Sequence, residues 1–417
     1  METYLNHQLP LIMHIDLNSC FATVEQQSRP SLRGRPIGIT NRISPNCCVI
    51  AASIEAKALG VKVGMGRRAA ENICPDLIMI ETDPPKIYWA YKNLLNILSK
   101  YSPSLQMKSI DEGLIDFRGQ PKIHQGSTLT QFGLEIKQQL RSDIGKWMRC
   151  NIGIGPNRFW AKMAAGLHKP DGLDEISYQN IEAVLSSLKL TDLTGIAKKL
   201  ERRLLQCGIA TPLDFLAADR QLLSQVFGSK VHAKAWFERL RGFEVDDFQT
   251  HQSQVGQQFV LDAPSNDDAA LLGRLQYLSQ TVSMKLRASR LEARGVYVWA
   301  TLKNSGYWHT TRKFPTAADT DQAIFNRAKQ LFLARPPQTI TAIGLNCYGL
   351  EKSQSHQLTF DNQKINDRRL SAAIDNVNSR YGNFALTYAA ALSGKKVIKQ
   401  KIPFGSTKYL DLLISGR

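Results

Sequence analysis

The chain is short of the features that mark several classes of protein. No apolar stretch approaches the ~18 residues needed to span a bilayer. Its first eleven residues hold no basic segment followed by an apolar run, so no secretory leader is read there. The seven cysteines are Cys20, Cys47, Cys48, Cys74, Cys150, Cys207 and Cys347, an odd number without a C-x-x-C pair. That argues against a disulfide framework and against a structural zinc site. Cys47 and Cys48 are adjacent but have no spaced partner, and read as small half-buried residues. No internal repeat or low-complexity block is present, which sets solenoids aside. These absences together predict a protein made and kept in the cytosol.

What is present is a folded, basic chain. Its 417 residues exceed one ordinary core and predict two to four domains. With 43% hydrophobic and 21% charged residues it is globular in composition. The formal net charge is +17. Residues 1–254 carry 31 basic and 25 acidic side chains, 255–362 carry 12 and 8, and 363–417 carry 10 and 3. The excess therefore runs along the chain and is densest at its end. A surface that tracks a polyanion needs this, and a protein kept soluble by self-repulsion meets the same count.

Hydrophobic patterning supplies the elements. LIMHID, ending at Asp16, is a short apolar run that reads as a buried strand, and FATVEQQ after it reads as a helix. Beyond a loop rich in Pro, Gly and Arg, PIGIT and CCVIAAS read as strands and EAKALG as a short helix stopped by Gly60. Residues 87–98 are helical. SIDEGLIDF alternates like a strand pair or hairpin edge, TLTQFGLEIKQQLRSDIG is an amphipathic helix, and MRCNIGIG is a buried strand. NRFWAKMAAGLHKP is again helical, ended by Pro170. The order predicts an α+β domain in which strands distant in sequence lie side by side. Residues 177–243 are almost entirely helical, and the polar stretch DDFQTHQSQVGQQ reads as a linker. A long helix, the strand-like VYVWATL, a helix through Phe332 and the strand-like AIGLNCYGL make a second α+β unit. The tail from Asp361 holds one helix and a basic end with Lys395, Lys396, Lys399 and Lys401; it has three possible roles, binding DNA, packing on its own unit, or staying mobile.

Asp16 ends one apolar strand, and Asp111 and Glu112 sit in another apolar context. Carboxylates there are costly unless paired, hydrogen-bonded or bound to metal. Three brought together suit hard divalent cations, which prefer oxygen ligands and serve phosphoryl transfer in pairs. Structural ion pairs or helix caps satisfy the same spacing, and spacing alone does not bring Asp16 to Asp111.

Four blocks, HIDLNSCFATVEQQSRPSLRGRPIGI, CVIAASIEAKALGVKVGM, KSIDEGLID and NIGIGPNRFWAKMAAGLHKPDGL, resemble the Y-family DNA polymerases in order and separation over roughly residues 10–175. The resemblance implies a right-hand polymerase of multidomain α+β fold. Its palm would comprise 1–25 and 76–176, its fingers 26–75 and a helical thumb 177–244. A linker at 245–255 would lead to an α+β little finger at 256–361, then a C-terminal helix and basic tail at 362–417. It implies that Asp16, Asp111 and Glu112 are catalytic carboxylates holding two Mg²⁺ ions, with the backbone carbonyl of Leu17. Phe21 matches the aromatic gate that rejects a ribose 2′-hydroxyl, and Lys162 the lysine that contacts the incoming triphosphate. Lys57 stands where many members have an arginine, keeping the charge but losing the bidentate fork, and Ile54 replaces a tyrosine. The EAKALG block is more similar to the mutagenic, UV-response branch than to the commoner bypass branch. Cys20 and Asn18 also depart from the usual residues.

Residues 190–216 resemble the family's helix-hairpin-helix, with Gly195-Ile196-Ala197 where two glycines are usual. In the second α+β unit, Arg287, Arg290, Arg312 and Lys313 are candidates for following a duplex backbone. Gln357, Leu358 and Phe360 are similar to a short sliding-clamp peptide. The expected partners are primer–template DNA, deoxynucleoside triphosphates and a sliding clamp, with no membrane. The expected function is error-prone translesion synthesis in the DNA damage response. A catalytically weak DNA-binding accessory protein of the same fold is the alternative, and a two-metal nuclease a third reading.

Overall fold

Ile12, Met13 and Ile15 are wholly buried, which is what an unbroken apolar run predicts for a strand covered on both faces. They lie on β1 (Ile12–Leu17), the middle strand of a five-stranded sheet. The computed structural model describes residues 4–119, 128–248, 251–304, 306–353, 362–398, 402 and 407–414. By contacts these form two compact units, 1–249 with 404–407, and 250–403 with 408–417.

The first unit also contains β2 (Ile37–Thr40), β3 (Ala51–Ala52), β4 (Ile78–Glu81), β5 (Leu105–Met107), β6 (Glu112–Asp116), β7 (Cys150–Gly155) and β8 (Leu173–Glu175). The large sheet runs β5-β6-β1-β7-β8, with β1 antiparallel to both β6 and β7. Strands separated by long stretches of chain therefore do sit side by side. A smaller sheet, β3-β2-β4, carries the short helix Ile54–Ala58, capped by the Ser53 hydroxyl and left through Gly60 at positive φ.

Helix Arg158–Leu167 presses on β7 and β1 because Gly153 and Gly155 have no side chain. A Cβ at Gly153 would stand 2.1 Å from the Ala161 carbonyl oxygen, and one at Gly155 2.4 Å from the Ala161 nitrogen. Short helices between Ile181 and Leu240 follow. Their starts are written in the sequence. Thr211 and Asp214 form a capping box that spans Pro212, and Asp219 and Ser229 cap the next two helices. Their core joins that of helix Arg158–Leu167 through Phe159, Trp160 and Phe215.

The second unit is a four-stranded antiparallel sheet of β9 (Gln254–Ser265), β10 (Leu291–Leu302), β11 (Gly306–Ala318) and β12 (Ile340–Lys352), ordered β11-β10-β12-β9. Helices Asp268–Ala288 and Asp321–Leu333 cover one face. β9 takes in Gln254 and Val255, which read as linker in sequence. β11 was not anticipated either: it is an edge strand, exposed along most of its length, and lacks a buried apolar row.

The described part of the tail packs on this unit. Helix Asn362–Tyr381 is tied down where Arg287 donates to Asp375 at 2.7 and 2.8 Å and Arg368 donates to Glu292 at 3.0 Å. Phe384, Ala391, Ile398 and Tyr409 join the core, and Lys395 donates to the Phe384 carbonyl at 2.5 Å. Helix Asp268–Ala288 is consequently buried nearly all round, polar Ser279, Gln280 and Ser283 included. Lys399 and Lys401, and the clamp-like Gln357, Leu358 and Phe360, lie outside the described residues. Among the described residues no helix is long and apolar enough to cross a membrane.

Candidate active site

The register of β1 and β6 settles what spacing could not. Asp16 pairs with Glu112 across the two strands, and the Leu17 N–H donates to the Asp111 carbonyl at 2.9 Å. Paired positions of an antiparallel ladder project from one face, so the two carboxylates are neighbours. Ser109 holds the turn into β6. Its hydroxyl donates to Asp111 Oδ1 at 2.5 Å and accepts from the Glu112 N–H at 3.0 Å. Burial first, and the charges of Asp16 and Glu112 beside it, raise the Asp111 pKa above the usual carboxylate range, opposed by the Ser109 hydrogen bond. Cys20 is buried next to this cluster, and burial followed by the Asp111 and Asp16 charges pushes its thiol well up.

Three lysines from three segments meet these acids. Lys162, on the helix held close by Gly153 and Gly155, donates to both Glu112 oxygens at 3.1 and 3.0 Å. Lys169 pairs with Asp16. Lys57 donates to the Ser19 hydroxyl at 2.8 Å, and its pKa is lowered by burial and then by Lys169, against the pull of Asp16 and Asp111. The loop bearing Lys169 is anchored from below. Asn18 donates to Asn151 at 2.7 Å and accepts from the Asp171 N–H at 2.8 Å, while Asp171 pairs with Lys137 at 2.9 Å and Arg141 at 2.5 Å. Asn18 is thus a buried tether, and its amide does what a carboxylate could not, donating and accepting at once.

Phe21 is 3% exposed on helix Cys20–Ser28, which leaves β1 through Ser19 at positive φ. The Leu17 side chain is buried, and its backbone pairs with Cys150. Ile54 opens helix Ile54–Ala58, one turn ahead of Lys57. In the helical region Gly195 needs its glycine at φ 99°, whereas Ala197 sits at φ −99°, so alanine there brings no backbone strain.

The described residues contain no group of three or more His, Cys, Asp or Glu side chains arranged to hold a metal ion. Two of the acids are instead closed on lysine ammonium groups, which stand where a cation would relieve the charge. The donor set is oxygen throughout, as Mg²⁺ prefers, and Mg²⁺ takes only one or two protein carboxylates when it brings waters and phosphates with it. The residues fit such an ion. Sequence reading missed Lys169, Ser109 and the Asn18–Asn151 tether. Only the HKPDG end of the fourth block could have pointed to Lys169.

Comparison with known proteins bears on the whole chain and its fold. The model of the impB/mucB/samB family matches residues 15–166, and that of the family's C-terminal domain matches 252–360. The chain is 29% identical over 399 residues to DNA polymerase IV of Pelotomaculum thermopropionicum, covering 94% of this chain and 97% of the relative. It is 27% identical over 417 residues to DNA polymerase IV 1 of Bacillus subtilis, covering 96% and 98%. A solved Y-family DNA polymerase chimera superposes with a TM-score of 0.70 at 22% identity, over 82% of this chain and 99% of that one. The insertion ternary complex of the Dbh DNA polymerase gives 0.57 at 21%, over 82% and 99%. These relatives carry the polymerase IV name, so the likeness of the fingers block to the UV-response branch stays an expectation. The chain has the fold of the solved Y-family DNA polymerases and, matched by both models over most of its length, belongs to the impB/mucB/samB family.

Proposed function

We propose that the chain extends a primer 3′-hydroxyl with deoxynucleoside triphosphates opposite a template, releasing pyrophosphate, and does so across damaged positions in DNA repair. The observation that carries the reading is the pairing of Asp16 with Glu112 across β1 and β6, with Lys57, Lys162 and Lys169 gathered around it. Acids beside cations suit a substrate that is itself a polyanion travelling with cations.

The chemistry that two Mg²⁺ ions supply when held by Asp16, Asp111, Glu112 and the Leu17 carbonyl is activation of the attacking oxygen and neutralisation of charge at phosphorus. The chain's own residues do the rest. Lys162 and Lys169 exchange their carboxylate partners for triphosphate oxygens, and Lys57 adds a third positive charge. Ser109 keeps Asp111 oriented. Phe21 closes the sugar side of the pocket, against a 2′-hydroxyl. In this reading 1–25 and 76–176 form the palm, 26–75 the fingers, 177–244 the thumb, 245–255 the linker, 256–361 the little finger and 362–417 the tail. Gln357, Leu358 and Phe360 are its candidate clamp contact, and the cytoplasm its place of action. The weak accessory reading is not favoured, since the acids and lysines of a working site are all present.

Primer extension with Mg²⁺ tests the proposal, comparing the native chain with Asp111→Asn and Glu112→Gln. Template-dependent addition by the native chain alone is the expected result. Addition that survives both changes, or degradation of the DNA in place of extension, rejects it.

A further inference from the structure

Helix Asn362–Tyr381 of the tail is docked the wrong way round for an amphipathic helix. The side chains it turns inward are mostly polar. Ser371 and Asn378 are buried, Asp375 and Arg368 pair with Arg287 and Glu292, and Ile374 adds an apolar group. Asn378 also donates to the Leu386 carbonyl at 3.1 Å and accepts from the Leu386 N–H at 2.8 Å, which folds the following chain back along the helix.

The apolar side chains face out. Leu370 is 48%, Val377 36% and Tyr381 66% exposed, and the exposed Ala373 lies between them. Spacings of three, four and four residues put these four in one stripe, about 16 Å long at the helical rise. A helix that serves only its own unit buries its apolar stripe and shows its polar one. The reversal here leaves the stripe for another surface to cover.

Charge narrows what that surface is. Arg369 and Arg380 stand eleven residues apart, close to three turns, so both border the stripe on the same side. Both are exposed and in no ion pair among the described residues, and Arg380 lies 5.4 Å from the Tyr381 ring. No Asp or Glu stands at an exposed position from 366 to 381. The cover must therefore be apolar along one line and acidic beside it. A second copy fails this requirement. Aligned parallel stripes set each arginine against itself and antiparallel ones set Arg369 against Arg380, like charges in either case. A lipid surface takes a wider apolar face and more cations from a helix lying on it. A nucleic-acid backbone would match the arginines and leave Leu370 and Val377 in water. A second helix satisfies both needs, since its own seam fills the spaces between Leu370, Ala373, Val377 and Tyr381.

We propose that the outer face of helix Asn362–Tyr381 is a docking surface for an amphipathic helix of another protein, its apolar seam flanked by carboxylates. The surface lies beyond residue 360, where the match to the family's C-terminal domain ends, and does not rest on the polymerase reading.

The test uses the full chain and a displayed library of helical peptides with a fixed leucine seam and flanks drawn from glutamate, glutamine and lysine. Selection on the native chain should enrich glutamate flanks, and fluorescence anisotropy then measures the affinity of the enriched peptide. Leu370→Ser with Val377→Ser should weaken it about 10-fold. Arg369→Glu with Arg380→Glu should weaken it as much and turn the selection toward lysine flanks. All four positions are exposed, so thermal melts and primer extension should stay native in both variants. Selection that enriches no flank, or a peptide that holds the serine variant as tightly as the native chain, overturns the docking surface. Self-association in sedimentation that the serine variant loses would assign the face to a second copy instead. Binding to phosphatidylglycerol vesicles with no peptide bound would assign it to lipid.

Discussion

The two sheets of this protein handle charge in opposite ways. The five-stranded sheet concentrates it, with Asp16, Asp111 and Glu112 drawn together and Lys162 and Lys169 closed on two of them. The open face of the four-stranded sheet spreads it, with no acid in the four rows from that of Gln254 to that of Val260 and cations at the edge. Bond-making chemistry requires a few groups converging on one atom, so each is anchored by others beneath it. Holding a long polyanion requires area, and there no single group needs an anchor. Loss should therefore be catastrophic at the first sheet and graded at the second.

The sharpest way to break this contrast is one change on each side. Asp16→Asn should lower primer extension by about 10³-fold, the worth of several kcal/mol of transition-state charge stabilisation. Lys313→Ala should cost only a few-fold in DNA affinity, and less at high salt. Steady-state extension and binding at two ionic strengths read both.

A smaller effect separates the sheets by packing. Gly153→Val drives a side chain into the backbone at Ala161 and should destabilise the first unit by about 3 kcal/mol, read by urea unfolding. Thr310→Val on β11, which is half-exposed, should stay within about 0.5 kcal/mol.

The smallest concerns Lys285 in the second unit. Burial pulls its pKa from the ordinary 10.5 to about 8. Its ammonium donates to Gln257 at 2.6 Å and lies 5.6 Å from the Tyr409 ring. A lysine whose folded pKa is lowered binds fewer protons folded than unfolded between those two values. Stability should therefore rise with pH from about 8 toward 10, by an amount on the order of 1 kcal/mol. Lys285→Met should flatten that rise in thermal melts taken across the window.

Local signals were legible where the physics is local. The apolar run of β1, the helix ended ahead of Pro170, and the glycine after helix Ile54–Ala58 all follow from side-chain preferences along a few residues. β11 escaped because an exposed edge strand needs no buried row. The tail's place escaped because its anchors, Arg287 to Asp375 and Arg368 to Glu292, join residues far apart in the chain.

By itself the sequence determined the two α+β units, the helical region between them, the basic excess and the acids worth watching, since periodicity, caps and charge are properties of neighbours. Only the tertiary structure decided that Asp16 faces Glu112, that Lys169 joins them through the Asn18 tether, and that Tyr297, Trp299, Tyr307, His309 and Tyr348 share one open face. Those juxtapositions are set by strand register and by loops held from below. A register slip of one residue would reverse every face while leaving each local preference satisfied.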